Sequence, residues 1–293
     1  MPPSTDRDAI VTPMLLREWP LPAPGASKYE RGQVVVVGGA RKTPGAALLA
    51  AEASLRVGAG RLTVAVAASV AAQVATVLPE CGVVALEETE GGHVLGSSVD
   101  LAGGDLDGAD AVLAGPGLDD GDEALTLIER LPALVSSDAV VVLDAFALGS
   151  LPQSSVAREA FAGRLVLTPN LGEAGRLLDT EVSDDDDLDE VASAVAREFG
   201  AVVSCQGRVA HPDGRVWQIG TGRGGLGTSG SGDVLAGAIA GLCARGASPE
   251  QATVWATYAH AAAGDRLAVG VGPLGFLARE LLAELPRVLV EIG

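Results

Sequence analysis

Residues 224–237, Gly-Gly-Leu-Gly-Thr-Ser-Gly-Ser-Gly-Asp-Val-Leu-Ala-Gly, restrict the possible folds more than any other stretch of this chain. Small residues make a tight loop, end on one carboxylate, Asp233, and run into the apolar sequence Val-Leu-Ala-Gly-Ala-Ile-Ala-Gly-Leu. A glycine-rich turn that feeds a helix leaves backbone N–H groups unpaired, with the helix dipole behind them, and so makes an anion site. A carboxylate beside a bound phosphate is out of place unless it acts. Asp233 would take a proton from a hydroxyl while the neighbouring amides hold the group being transferred. The alternative for this aspartate is helix capping alone, a role that favours Asp.

At 293 residues the chain could form one large α/β domain or two small ones. Hydrophobic residues make up 48% and aromatics only 3%, so the core must be built of Ala, Val and Leu. Small aliphatics suit buried parallel strands and closely packed helices. The formal net charge of −18 argues against nucleic acid and anionic membrane as partners, since both need a cationic face. Lys28 and Lys42 are the only lysines, so phosphate must be held by backbone amides, arginine or a metal ion. Cys81, Cys205 and Cys243 form no disulfide or metal pattern and read as small buried residues; His93, His211 and His260 show no ligand spacing. The N-terminus lacks the basic start and apolar run of a signal peptide, and no stretch is apolar enough to span a bilayer. The expectation is a soluble cytoplasmic protein.

Residues 1–27 are Pro-rich and weakly patterned and read as an N-terminal arm or docking tail; 28–293 read as a single domain. Strands are expected at 33–37, 61–66, 82–86, 111–114, 139–143 and 165–167, and around an Asp213-Gly214 turn at 201–205, 208–211 and 215–219. Helices are expected at 44–57, 122–131, 191–199 (capped from Ser183), 233–245, 249–269 and 274–285. Residues 87–110 read as loops. Strands alternating with helices imply a parallel sheet covered on both faces, with ligands at the carboxyl ends of the strands. The loops at 38–45, 115–118, 144–148, 168–173 and 222–233 should therefore converge.

These segments together resemble the ribokinase-like superfamily and, within it, the ADP-dependent NAD(P)H-hydrate dehydratases. The resemblance runs from about residue 28 to the end. It is carried by Val36-Val37-Gly38-Gly39 leading to Pro44-Gly45-Ala46-Ala47, by Arg56-Val57-Gly58-Ala59-Gly60, and by Gly115-Pro116-Gly117-Leu118. Val142-Leu143-Asp144-Ala145, Thr168-Pro169-Asn170-Leu171-Gly172-Glu173, Gly230-Ser231-Gly232-Asp233 and His260-Ala261-Ala262-Ala263-Gly264-Asp265 complete it. It implies a three-layer sandwich with a mostly parallel central sheet. It also implies a repair reaction in which ADP or ATP phosphorylates the hydroxyl of hydrated NADH or NADPH and phosphate then leaves.

Carried onto this chain, the resemblance makes Asp233 the base and the amides of Gly230, Ser231 and Gly232 the anion hole. Ala46, Gly117 and Asn170 would line the hydrated-nicotinamide pocket. Gln206, Gly207, Arg208, Val209, Ala210 and Gly232 would bind the nucleotide. Glu173 would order Mg²⁺ through water. Asp144 either contacts substrate or caps the strand end. Asn170 could instead form an Asx-turn and Glu173 serve only as an early-helix acid. His260, on an apolar helix, reads as a hydrogen-bonded core histidine. A homo-oligomer is expected. The matching segments leave no room for the epimerase often fused to such enzymes.

The chain departs from the family pattern at four places. Phe146 stands where a second Asp follows Asp144-Ala145. Asn170 replaces a histidine, Gln206 replaces the lysine near the nucleotide phosphates, and Arg223 replaces an asparagine. A neutral amide does not substitute for the lost cation, so Arg208 or Arg223 would have to compensate. Three readings stay open on sequence: the dehydratase, a kinase for a vitamin-like or sugar-like alcohol, and a nucleotide-binding relative without turnover.

Overall fold

The computed structural model describes residues 8–222 and 224–293. Its ten strands are β1 (Asp8–Val11), β2 (Gln33–Val37), β3 (Arg61–Ala67), β4 (Gly82–Leu86), β5 (Ala111–Ala114), β6 (Val140–Leu143), β7 (Leu165–Leu167), β8 (Val202–Cys205), β9 (Arg208–Ala210) and β10 (Val216–Ile219). They form one sheet in the order β1-β10-β9-β8-β7-β6-β5-β2-β3-β4. Only β9 is antiparallel to its neighbours, β8 and β10. The two strands flanking β2 are β3 and β5, so the chain reverses its direction of travel across the sheet there. That switch point opens a crevice at the carboxyl ends of the strands.

The helices are α1 (Pro13–Glu18), α2 (Pro44–Arg56), α3 (Ala68–Val77), α4 (Gly103–Asp107), α5 (Gly121–Arg130), α6 (Ala145–Ser150), α7 (Ser155–Ala160), α8 (Leu171–Leu178), α9 (Leu188–Phe199), α10 (Ser231–Ala244), α11 (Pro249–Gly270) and α12 (Ala278–Ile292). Alternation along β2 explains the three layers. Val34 and Val36 face a core made with α2, α10, α11 and α12; Val35 and Val37 face a second core made with α5, α6, α8 and α9. A strand buried on both faces reads as an unbroken valine run, as this one does.

Small residues let α2 and α10 touch backbone to backbone. A Cβ on Gly237 would lie 2.0 Å from the Ala50 carbonyl oxygen, and one on Gly241 would lie 2.5 Å from that of Ser54. This close contact holds the middle and later turns of α10 against those of α2 and needs no aromatic filler.

Several elements differ from the sequence expectation. Residues 8–19, within the expected arm, hold β1 and α1; β1 pairs in parallel with β10, and Trp19 stacks on Trp217 at 5.9 Å. The 87–110 region contains a 3₁₀ turn and α4 rather than loops alone. Asp187, not Ser183, caps α9, accepting from the Asp189 N–H at 3.0 Å. Helix α12 starts later than expected and continues through Pro286. Burial of Leu285, Val288 and Ile292 outweighs the missing N–H there. Cys205 and Cys243 are buried as expected, whereas Cys81 is half-exposed.

Candidate active site

The loops after β2 and β5 are stitched into one wall. Gly39 N–H donates to the Pro116 carbonyl at 2.9 Å, and Ala40 N–H to that of Gly117 at 2.8 Å. The Thr43 hydroxyl also donates to the Gly117 carbonyl at 2.8 Å. Only glycine fits at Gly117, where φ is 75° and a Cβ would lie 2.3 Å from the Thr43 carbonyl oxygen and 3.2 Å from the Ala46 Cβ. Gly117 and Ala46, expected in one pocket, are thus neighbours.

Across the crevice stands the start of α10. Its cap, Gly230, has φ 90° and no side chain with which to seal the helix. Among the described residues the N–H groups of Gly230, Gly232 and Asp233 meet no acceptor and remain available to an anion. The expected anion hole needs one correction. Ser231 N–H already donates to the Thr228 carbonyl at 3.2 Å, so the amide of Asp233 takes its place in the open set. The Ser231 hydroxyl is also engaged, 3.0 Å from His260 Nε2, which lies 3.0 Å from the Ser231 carbonyl as well. His260 is a buried, hydrogen-bonded histidine, and burial pushes its pKa down to about 4.

Three carboxylates gather between these walls. Burial pushes Asp233 up to about 6. Asp144, at the end of β6, is pushed up to about 7 by burial first and by the negative charges of Asp233 and Glu173 after it. The Thr168 hydroxyl donates to Asp144 Oδ1 at 2.8 Å and partly opposes that rise. Thr168 escaped the sequence reading, although it sits in the loop expected to converge here. Asp144 makes no side-chain cap bond to the following helix. Its successor, Ala145, has φ 49°, a left-handed conformation that costs a non-glycine residue roughly 1–3 kcal/mol.

Asn170 and Glu173 form a closed capping box on α8. Asn170 Oδ1 accepts from the Glu173 N–H at 2.9 Å, and Glu173 Oε2 accepts from the Asn170 N–H at 2.9 Å. Asn170 keeps its Nδ2 for a ligand, and Glu173 keeps Oε1, 4.0 Å from Arg176. Among the described residues no trio of His, Cys, Asp or Glu forms a metal cage. The second Glu173 oxygen is a lone carboxylate donor, which fits an ion that keeps most of its waters.

The expected nucleotide segment divides in two. Gln206 and Gly207, with φ 46° and 73°, make the two-residue turn between β8 and β9 at the carboxyl edge. Val209 and Ala210 are fully buried in β9, and their backbones pair with β8 and β10. Arg208 does not supply a spare cation, because its Nε lies 2.5 Å from Asp189 Oδ1. Arg223 lies outside the described residues.

A cavity of about 490 Å³ opens beside the carboxylates, between α5, α6 and α8, with Phe146, Glu173 and Arg176 on its walls. A bigger one, about 920 Å³, runs along the outer side of α8 to residue 186 and includes no part of the glycine-rich loop. Carboxylates and open amides, not volume, locate the chemistry.

Comparison with known proteins shows what the chain is similar to. A family model described as NAD(P)H-hydrate dehydratase matches residues 34–287. The ADP-dependent (S)-NAD(P)H-hydrate dehydratase of Xanthomonas campestris pv. campestris is 41% identical over 287 residues, covering 97% of this chain and 96% of that protein. The bifunctional NAD(P)H-hydrate repair enzyme Nnr of Moorella thermoacetica is 39% identical over 262 residues, and this chain spans only 49% of its length. The crystal structure of the ADP/ATP-dependent NAD(P)H-hydrate dehydratase from Bacillus subtilis, co-crystallized with ATP/Mg²⁺, superposes with a TM-score of 0.78. It is 28% identical and covers 97% of this chain and 99% of that one.

Proposed function

This chain belongs to the NAD(P)H-hydrate dehydratase family, and from that premise we propose how its residues restore hydrated NADH and NADPH. The reaction is a nucleotide-dependent dehydration. Family membership disfavours the kinase reading and the reading without turnover.

The observation that carries the mechanism is Asp233, a carboxyl raised to about 6 beside open amides at a helix start. A base with a pKa just below working pH is largely ionised and still accepts a proton readily. Asp233 takes the proton of the ring hydroxyl. The hydroxyl oxygen forms a bond to the terminal phosphorus of ADP or ATP, and the phosphoanhydride bond breaks. The amides of Gly232 and Asp233 hold the moving phosphoryl group, and fixed donors of this kind are worth about 3–4 kcal/mol each. The ring C–O bond then breaks, phosphate leaves with the electron pair, and the adjacent ring carbon loses a proton to re-form the double bond. Phosphate is a far better leaving group than hydroxide.

Asp144, raised to about 7, keeps its proton part of the time and so avoids a second full charge beside the base. Ala46, Gly117 and the Asn170 amide line the hydrated ring. Gln206, Gly207 and Gly232 meet the nucleotide. Glu173 would hold Mg²⁺ through water, and the ion, bound with the nucleotide, would shield the charge of its phosphates. The protein works as a cytoplasmic homo-oligomer. Exposed Val269, Leu274 and Val290 supply apolar surface for self-association.

The test is to incubate the protein with hydrated NADH, ADP and Mg²⁺ and to follow the return of reduced-nicotinamide absorbance. Recovery is expected. Failure to recover in the presence of bound nucleotide overturns the reading.

A further inference from the structure

The mechanism leaves one prominent residue of the site without a task. Of the four phenylalanines, Phe161, Phe199 and Phe276 are at most 4% exposed, whereas Phe146 is 45% exposed. It is the second residue of α6 and follows the left-handed Ala145, so a strained backbone turn directly after Asp144 sets the path of the chain here. Phe146 lines the 490 Å³ cavity together with Ala145 and Glu173. Ala145 directly follows Asp144 in the chain, and both Ala145 and Glu173 line this cavity, which places it beside the carboxylate cluster. Its other walls leave room. A Cβ added at Gly121 or Gly149 would meet nothing within 4 Å.

We propose that Phe146 is a stacking platform for the adenine ring of the hydrated dinucleotide, and so a binding residue for the half of the substrate that does not react. The inference rests on the dehydratase reading above. The reacting ring is saturated at its hydrated carbon and is committed to Asp233. The fully aromatic ring left over is the adenine, joined to it by a flexible pyrophosphate. An exposed phenyl side chain on a cavity whose wall continues through Ala145 to Asp144 is the surface such a ring requires.

The test compares three Michaelis constants in wild type, Phe146→Ala and Phe146→Trp: for hydrated NADH, for the hydrated reduced mononucleotide that lacks the adenosine half, and for ADP. Loss of a base–aromatic stack should raise the KM for hydrated NADH about fivefold to a hundredfold in Phe146→Ala. Its kcat, its KM for the mononucleotide and its KM for ADP should stay at wild-type values, and Phe146→Trp should retain tight binding. Because the side chain is half-exposed, Phe146→Ala should melt with the wild type. An unchanged KM for hydrated NADH, an equal rise for the mononucleotide, or a rise for ADP overturns the inference, while turnover by the wild type leaves the dehydratase reading standing. A wild type that fails to turn over hydrated NADH overturns the substrate reading itself.

Discussion

Two helices begin at the carboxyl edge of the sheet within reach of the same carboxylates, and they end their backbones in opposite ways. Helix α8 is sealed: Asn170 and Glu173 satisfy each other's N–H groups through a capping box. Helix α10 is left open: Gly230 has no side chain, and the amides of Gly232 and Asp233 have no acceptor among the described residues. Capping normally stabilises a helix by about 1 kcal/mol, so an unsealed start is a standing cost. The cost makes sense where a ligand completes the helix. On the proposed mechanism, the same acid–helix pairing serves stability at α8 and chemistry at α10.

The sharpest way to break this contrast is Asp233→Asn. Removal of a general base should lower kcat by about 10²–10⁴-fold while nucleotide affinity is kept, as measured by calorimetry. Retained turnover would place the base elsewhere. Gly230→Ala comes next. The methyl group would meet Leu49 Cδ1 at 2.5 Å in a backbone with φ 90°, so the loop must shift and the open amides with it. Turnover should fall by about 10²–10³-fold, the loss seen when one fixed donor is displaced. Unimpaired turnover would show that those amides are not used.

A third test concerns charge. The raised Asp144 pKa means that the folded state disfavours its ionised form, so this group lowers stability as pH rises from about 4 through about 7. Asp144→Asn should therefore be more stable than wild type above pH 7, by on the order of 4 kcal/mol for a rise of about 3 pKa units at 1.36 kcal/mol each, and no more stable at pH 4. Thermal melts at the two pH values check the sign. In the wild type, the acid limb of kcat/KM should fall near pH 6, the value of Asp233, rather than near 4. The smallest effect belongs to the sealed helix. Asn170→Ala should cost about 0.5–2 kcal/mol of stability and reduce kcat far less than Asp233→Asn. A collapse of kcat equal to that of Asp233→Asn would erase the distinction between the two helices.

Much of the fold is legible in the chain because its signals are local. The valine run of β2, the Gly-Pro-Gly stop after β5 and the Asp213-Gly214 hairpin each state their conformation within a few residues. Elements held by distant contacts are not legible. Helix α12 passes Pro286 only because its later turns are buried, and β1 exists only because β10 offers an edge. The site divides in the same way. The residues of the Asp233 loop declare themselves by composition. That Arg208 is already paired with Asp189, that Val209 and Ala210 lie inside the sheet, and that the Ser231 hydroxyl is tied to His260 are facts about partners far along the chain.

Sequence by itself determined the alternation of strands and helices, the small-residue core and the identity of the acid at the glycine-rich loop, because periodicity, side-chain size and glycine's freedom act over short spans. Tertiary structure alone decided which amides stay open, which cations are already neutralised, and that Asp144 and Asp233 both hold their protons more tightly than ordinary carboxyls. Those properties depend on burial and on charges brought together by folding, and neither exists until the sheet closes around them.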